Sequence, residues 1–461
     1  MSQSNVFQCK WWALIGVSLL AFTAFLDATI VNTALPFIQS AFKVNVLQLQ
    51  WVANIFTIIL SMTMIAIGKF ADRWGKKKIF YIGVVLFTIA AFGAGFSNSI
   101  QMLIFFRGMQ AIGASTLFIT AAALLSDIFP ESERVKAISI YGGITGFGLM
   151  SGPFFGGILI DLLDWRWVFW INLPLIAIGL GACSFSLKKH KITKTALPID
   201  WMGMIGLVTG LGALMYGIIG GAEKNWQSLP AWCALGLGIS ALIFLIIWDI
   251  KKQNALLNLT IFKHHLVILA ALSCGLAGVV STVFMFFDPL YLRTLRQLSP
   301  FMIGLLIAII PAAQSIISLL FQKLVKWLGI SNLLFLSIFS AFIAISLHRF
   351  LSATTPIGFL ILPFFLLGIT WGLGNVGTIT ALNQVIRSSE IASALGTITT
   401  IWNMVGSILL ASSTAVFHAI ELHSSFLRGF LYMINVNIIF SGIILIISIK
   451  LLFTLKSKII N

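Results

Sequence analysis

Apolar runs of about eighteen residues or more recur along the whole of this chain, and nothing constrains its fold more. Each is long enough to cross a hydrocarbon layer about 30 Å thick as a helix, the geometry that satisfies every backbone amide within the segment. Fourteen such spans are expected, near 12–35, 47–69, 79–98, 101–125, 136–160, 167–187, 201–221, 231–249, 266–291, 301–322, 331–350, 356–384, 391–419 and 428–453. The 461 residues are 59% apolar and 9% charged, against about a quarter charged in a soluble protein. The short alternating segments of an outer-membrane barrel are missing. The expected class is an all-α polytopic membrane protein.

The net charge of +16 does not point to nucleic acid. Its Lys and Arg sit between the apolar runs and crowd into every second loop. One side collects Lys10, the 69–78 loop, Arg134, Lys136, 188–194, 251–263, Lys323, Lys326, Arg387 and 450–458. The other holds Lys43, Arg166, Lys224, Arg293, Arg296, Arg349 and Arg428, a division of 21 against 7 with Arg107 left inside a span. Positive loops face the cytoplasm, so both termini are expected there. Cys9, Cys183, Cys233 and Cys274 are scattered and form no Cys-x-x-Cys pair. The first run reads as a retained helix rather than a cleaved leader, because no small-x-small site precedes Asp27.

Two polar breaks organise the chain. The first, 188–198, carries Lys188, Lys189, His190, Lys191 and Lys194; the second is 251–265. They predict a six-helix bundle over 1–187, a basic linker, two additional helices over 199–250, a second linker, and a six-helix bundle over 266–461. The middle pair reads as an insertion between two helical repeats of the kind transporters use.

Asp27 is the one ionisable side chain between Trp11 and Pro36. A lone carboxylate in a span costs about 2.5–3.5 kcal/mol on insertion scales and faces a partner or a polar cavity, unless it snorkels from a helix end. It lies about 24 Å along the helix from Trp11, in the outer third of the membrane. Arg107 lies about 9 Å deep, entering from the outside near Gln101. The matched depths allow a pair in one polar cavity. Burial favours the neutral acid and a guanidinium favours the carboxylate, and an acid held between those demands can exchange protons near neutral pH.

The loop after the second span reads Gly68-Lys-Phe-Ala-Asp72-Arg73-Trp-Gly75-Lys-Lys-Lys78, with Asp72 its single acid and Gly68 and Gly75 expected to permit a tight turn. The fifth span holds Gly148, Gly152, Pro153, Gly156 and Gly157; glycines four apart let helices approach closely, and Pro153 bends the span. This run is not a nucleotide loop, since no strand precedes it. These segments resemble motifs of the major facilitator superfamily. The resemblance implies that Asp72 and Arg73 latch the cytoplasmic side, that Arg107 in Arg107-Gly-Met-Gln110 assists proton transfer, and that the fifth-span motif belongs to exporters. In the second half, 322–329 keeps Gly329 but has Lys326 where the acid would stand. Leu26-Asp27-x-Thr29-Ile30-Val31-Asn32-x-Ala34-Leu35-Pro36, Trp165-Arg166-Trp167-x-Phe169-x-Ile171-Asn172-x-Pro174 and the extra helix pair are similar to the fourteen-helix drug:proton antiporter branch.

Asn32, Gln110, Gln314, Trp371, Asn375, Trp402 and Asn403 are the candidates for a substrate-facing wall, each open to the plainer role of interhelical bonding. Asp288, before Pro289, lies near the outer end of its span, and His418, Glu421 and His423 read as a hydrated helix end rather than a metal site. No cofactor, metal or enzymatic motif is expected. The expected function is a monomeric, proton-coupled exporter of a small organic compound in a bacterial inner membrane, with lipid, protons and substrate as its partners. The alternatives are an exporter of an endogenous metabolite such as a siderophore, and a non-transporting membrane sensor.

Overall fold

The computed structural model describes residues 3–186, 200–252, 257, 259–386 and 391–460. Among these residues fourteen helices are long and apolar enough to cross a membrane, and there is no strand. They are α1 Gln3–Phe42, α2 Val46–Trp74, α3 Lys76–Gly95, α4 Ile100–Ile128, α5 Glu131–Leu162, α6 Trp167–Ser184, α7 Trp201–Glu223 and α8 Leu229–Lys251. The second half continues with α9 His265–Thr294, α10 Pro300–Leu328, α11 Ile330–His348, α12 Ile357–Val385, α13 Ile391–Glu421 and α14 Phe426–Ile460. The basic stretch 188–198 and Arg387 lie outside the described residues, as does part of the second linker.

The helix ends correct one expectation. Gly68 makes no turn: α2 continues through it to Trp74, and α3 starts at Lys76. Gly75 alone turns the chain, at φ 96°, a conformation that favours glycine because it has no Cβ. Gly329 repeats the device between α10 and α11 at φ 75°. Hydropathy marks where a helix leaves the apolar layer, whereas backbone bonding carries it onward through Lys69 and Arg73.

The chain packs as two compact units, the first made of Met1–Val44, Trp51–Ile199 and Ser299–Leu305, the second of Asn45–Gln50, Asp200–Leu298 and Leu306–Asn461. In the first, α1 lies against α4, α5 and α6, and α3 pairs with α4. In the second, α9 lies against α12 and α13, α12 against α10 and α11, and α14 against α11 and α13. The additional pair is integrated rather than loosely inserted: α7 and α8 pack together, and α7 runs along α13.

The α1–α5 contact explains the spacing of three glycines. A Cβ at Gly148 would meet the Phe22 carbonyl at 3.0 Å, and one at Gly156 the Ile30 carbonyl at 3.1 Å. One at Gly152 would strike the Thr29 hydroxyl and come within 2.9 Å of the Ile30 amide. Thr29 Oγ1 also bonds the Leu149 carbonyl across this seam at 3.0 Å. Gly157 faces the start of α10 within the same unit, where its Cβ would meet the Pro300 carbonyl at 2.7 Å. We therefore expect Gly152→Val to lower the melting temperature of the purified protein sharply, since overpacking a closed site costs about 1–3 kcal/mol or more. Gly142→Val on the same helix has open space around its Cβ and serves as the near-neutral control.

A polar clasp fixes the additional pair where α7 begins. Asp200 caps α7, its Oδ1 accepting from the Gly203 amide at 3.1 Å, the Trp248 indole at 3.2 Å and the Lys252 ammonium at 2.8 Å. Burial works against the Asp200 charge, but those donors outweigh it and hold the carboxyl below its usual range. A depressed acid stabilises the fold above its unfolded value, about 3.9, and that support is lost as pH falls through the lower folded value. Hydrogen exchange corrected for intrinsic rates should therefore show protection at the start of α7 falling under acid. In Asp200→Asn this acid dependence is expected to vanish.

Candidate functional site

The matched depths of Asp27 and Arg107 become direct contact in the first unit. Asp27 on α1 is fully buried, and Arg107 Nη1 on α4 donates to its Oδ2 at 2.6 Å. Gln110, one turn beyond Arg107, donates through Nε2 to Asp27 Oδ1 at 2.7 Å and accepts from Arg107 Nη1 through Oε1 at 2.8 Å. Asn172, at the break in α6, donates to the same Oδ1 at 3.2 Å. Three helices thus converge on one carboxylate.

The arginine is held as firmly. Its Nε donates to the Val52 carbonyl on α2 at 3.3 Å, and its guanidinium lies 4.2 Å from the centre of the Phe56 ring and 6.0 Å from that of Phe169. Ring faces attract a desolvated guanidinium. They also cover the site, with Arg107 2% exposed.

The donor pattern defines what this cluster can do. All three partners of Asp27 donate, which suits an ionised carboxylate that only accepts. The three donors leave one acceptor site on Oδ2, and a proton taken there would cancel the charge that attracts Arg107, so proton binding and the Asp27–Arg107 ion pair compete electrostatically. Arg107 also ties α4 to α2 through Val52, so the Asp27–Arg107 bond is one of the contacts that join α1, α2 and α4.

The other expected residues are distributed as follows. Gln110 belongs to the Asp27 cluster, and Asn32 is buried on α1 with its amide toward the Ala28 carbonyl at 3.4 Å. In the second unit, Trp371 and Trp402 meet edge to face at 6.5 Å, and the Trp402 indole donates to Ser281 Oγ at 3.1 Å. Gln314 is buried and reaches Ser318 at 3.4 Å. Asn375 and Asn403 are half-buried. The Asp72 side chain lies outside the described residues; Arg73 is exposed at the end of α2. At that end of the bundle Lys76 pairs with Asp127 on α4 at 2.8 Å, which motif reading did not anticipate. Asn172 was also missed as a site residue, although it stood in the Ile171-Asn172-x-Pro174 signature. Among the described residues no group of three or more His, Cys, Asp or Glu is placed to hold a metal ion.

Comparison with known proteins gives this geometry a context. The family model of the Major Facilitator Superfamily matches residues 17–198 and again 199–411. The chain is 32% identical over 372 residues to the riboflavin transporter RibZ of Clostridioides difficile, covering 79% of this chain and 78% of RibZ. It is 31% identical over 322 residues to the multidrug resistance protein Stp of Mycobacterium tuberculosis, covering 68% of this chain and 59% of Stp. In structure it resembles a peptide transporter of the POT type solved with sulfate, with TM-score 0.71 at 13% identity, over 95% of this chain and 94% of that one.

Proposed function

The chain belongs to the major facilitator superfamily, and from that premise we propose that it is a proton-coupled secondary transporter that exports a small organic compound by alternating access. The observation that carries this reading is the Asp27 carboxylate, fully buried and held by Arg107, Gln110 and Asn172. Asp27 takes a proton from the outside, which loosens Arg107 and lets substrate leave. The unit then reopens inward, Asp27 gives its proton to the cytoplasm, and the Arg107 bond re-forms as the next substrate binds. One charge moving across 100 mV supplies about 2.3 kcal/mol, roughly a fiftyfold gradient. The excess of Lys and Arg in alternate loops supports a bacterial cytoplasmic membrane with both termini inside.

The substrate class we favour is planar and aromatic. The crossed Trp371 and Trp402 rings offer faces for such a compound, and the likeness to Stp suits drug-like molecules. The likeness to RibZ favours a second reading, transport of an endogenous metabolite such as riboflavin. Purified protein in vesicles with an imposed pH gradient separates the two when flavins and planar aromatic cations are offered side by side. Gradient-dependent movement of either supports proton coupling. Movement of either at a rate indifferent to the gradient rejects it.

A further inference from the structure

The second unit carries its own buried acid. Asp288 on α9 is fully buried, and so is His348 at the end of α11, with Nε2 3.5 Å from Asp288 Oδ1. Neither Asp288 oxygen, nor that nitrogen, has a hydrogen-bond partner. The other ring nitrogen, Nδ1, lies 2.7 Å from the Ala344 carbonyl. A carbonyl only accepts, so Nδ1 carries a hydrogen and Nε2 is the nitrogen free to gain or lose one. A bare carboxylate beside a neutral imidazole would leave a net negative charge in an apolar interior, which is strongly unfavourable. One added proton, on either partner, makes the pair neutral overall and fills the gap between Oδ1 and Nε2.

The surroundings isolate this pair. Phe284 stands 4.8 Å and Phe364 5.9 Å from the imidazole, ring centre to ring centre. The neighbouring titratable groups are Tyr291 on α9, whose hydroxyl donates to the Ser352 carbonyl at 2.7 Å, Arg293 on α9, which bonds the Leu298 carbonyl at 3.2 Å, and Arg296 just past its end, which bonds the Ala353 carbonyl. Just past α11 stands the exposed Arg349, and α12 adds Phe364. α13 and α14 contribute Phe417 and Phe430, with His418 next to Phe417 on α13. Among the described residues, His348 is the one basic group within ion-pair distance of Asp288. Just before it, Val280–Phe284 is a π turn, a distortion found often at functional sites. Each unit thus has a fully buried carboxylate in a long apolar helix, Asp27 on α1 and Asp288 on α9.

We propose that Asp288 and His348 form a second proton-binding site, holding one proton between them while sealed and exchanging it when α9 and α11 part. The role rests on the proton-coupled reading above, but the site itself is testable without substrate. The probe is the proton: full-length protein in nanodiscs with 15N-labelled histidine, its His348 signals assigned with His348→Asn, which keeps a donor for the Ala344 carbonyl. The expected result is that His348 titrates and that Asp288→Asn shifts its midpoint to at least a tenfold higher proton concentration, whereas Asp288→Glu retains the wild-type behaviour. A His348 ring that does not titrate, or one indifferent to Asp288→Asn in protein of unchanged melting temperature, overturns the proposal. If Asp288→Asn does not fold, Asp288→Glu decides: a midpoint unlike the wild type counts against the site only when that variant melts normally, and His348→Asn must then leave proton uptake on acidification one proton per chain lower. Asp27→Asn should leave the His348 titration intact, so loss of gradient-driven transport in that variant and failure of this site are read separately.

Discussion

Asp27→Asn is expected to reduce pH-gradient-driven transport to the level of protein-free vesicles while the protein still folds. An amide in this position keeps one oxygen for Arg107 but sets its NH2 against the Gln110 and Asn172 donors, so the polar cluster survives in part. It cannot accept and release a proton, and the competition between proton and Arg107 disappears. The variant should be measurably less stable, because Arg107 loses its counter-charge at 2% exposure. Wild-type rates of gradient-driven transport in this variant would remove Asp27 from the mechanism.

Arg107→Ala is expected to be the more damaging single change. It leaves a carboxylate buried without its partner and strips the guanidinium from the Phe56 ring. Breaking a buried pair from one side costs about 3–5 kcal/mol, chiefly through the charge left behind. Asp27→Asn together with Arg107→Ala removes both charges, so it should regain much of the lost stability and none of the transport. Thermal unfolding of the purified single and double variants measures this as a cycle. If the two single losses simply add in the double variant, the pair is not coupled as its 2.6 Å contact implies.

How far these features can be read from the residues depends on how they are marked there. Fourteen crossings were legible because an apolar run of membrane length has few other solutions. The end of α2 was not, because Lys69 and Arg73 look like loop once they leave the apolar layer, although the helix runs on to Trp74. Asp27 and Arg107 announced themselves as lone charges in apolar sequence. Asn172 did not, since a neutral amide near a span end is common and its distance from Asp27 along the chain hides the contact. His348 was hidden for a similar reason: at the last position of α11 it reads as a residue at the membrane boundary, yet it is fully buried against Asp288. The integration of α7 with α13 had no sequence signal, because within a membrane an apolar helix face meets lipid as readily as another helix.

The most direct test of the account follows protons rather than substrate. Once the vesicle screen has identified a transported compound, that compound is added to purified protein in weakly buffered detergent with a pH-sensitive dye. The account predicts proton release on binding by the wild type, and one proton fewer per chain from Asp27→Asn at saturating compound. Equal release from the two proteins, or binding by the wild type with no release, would contradict it.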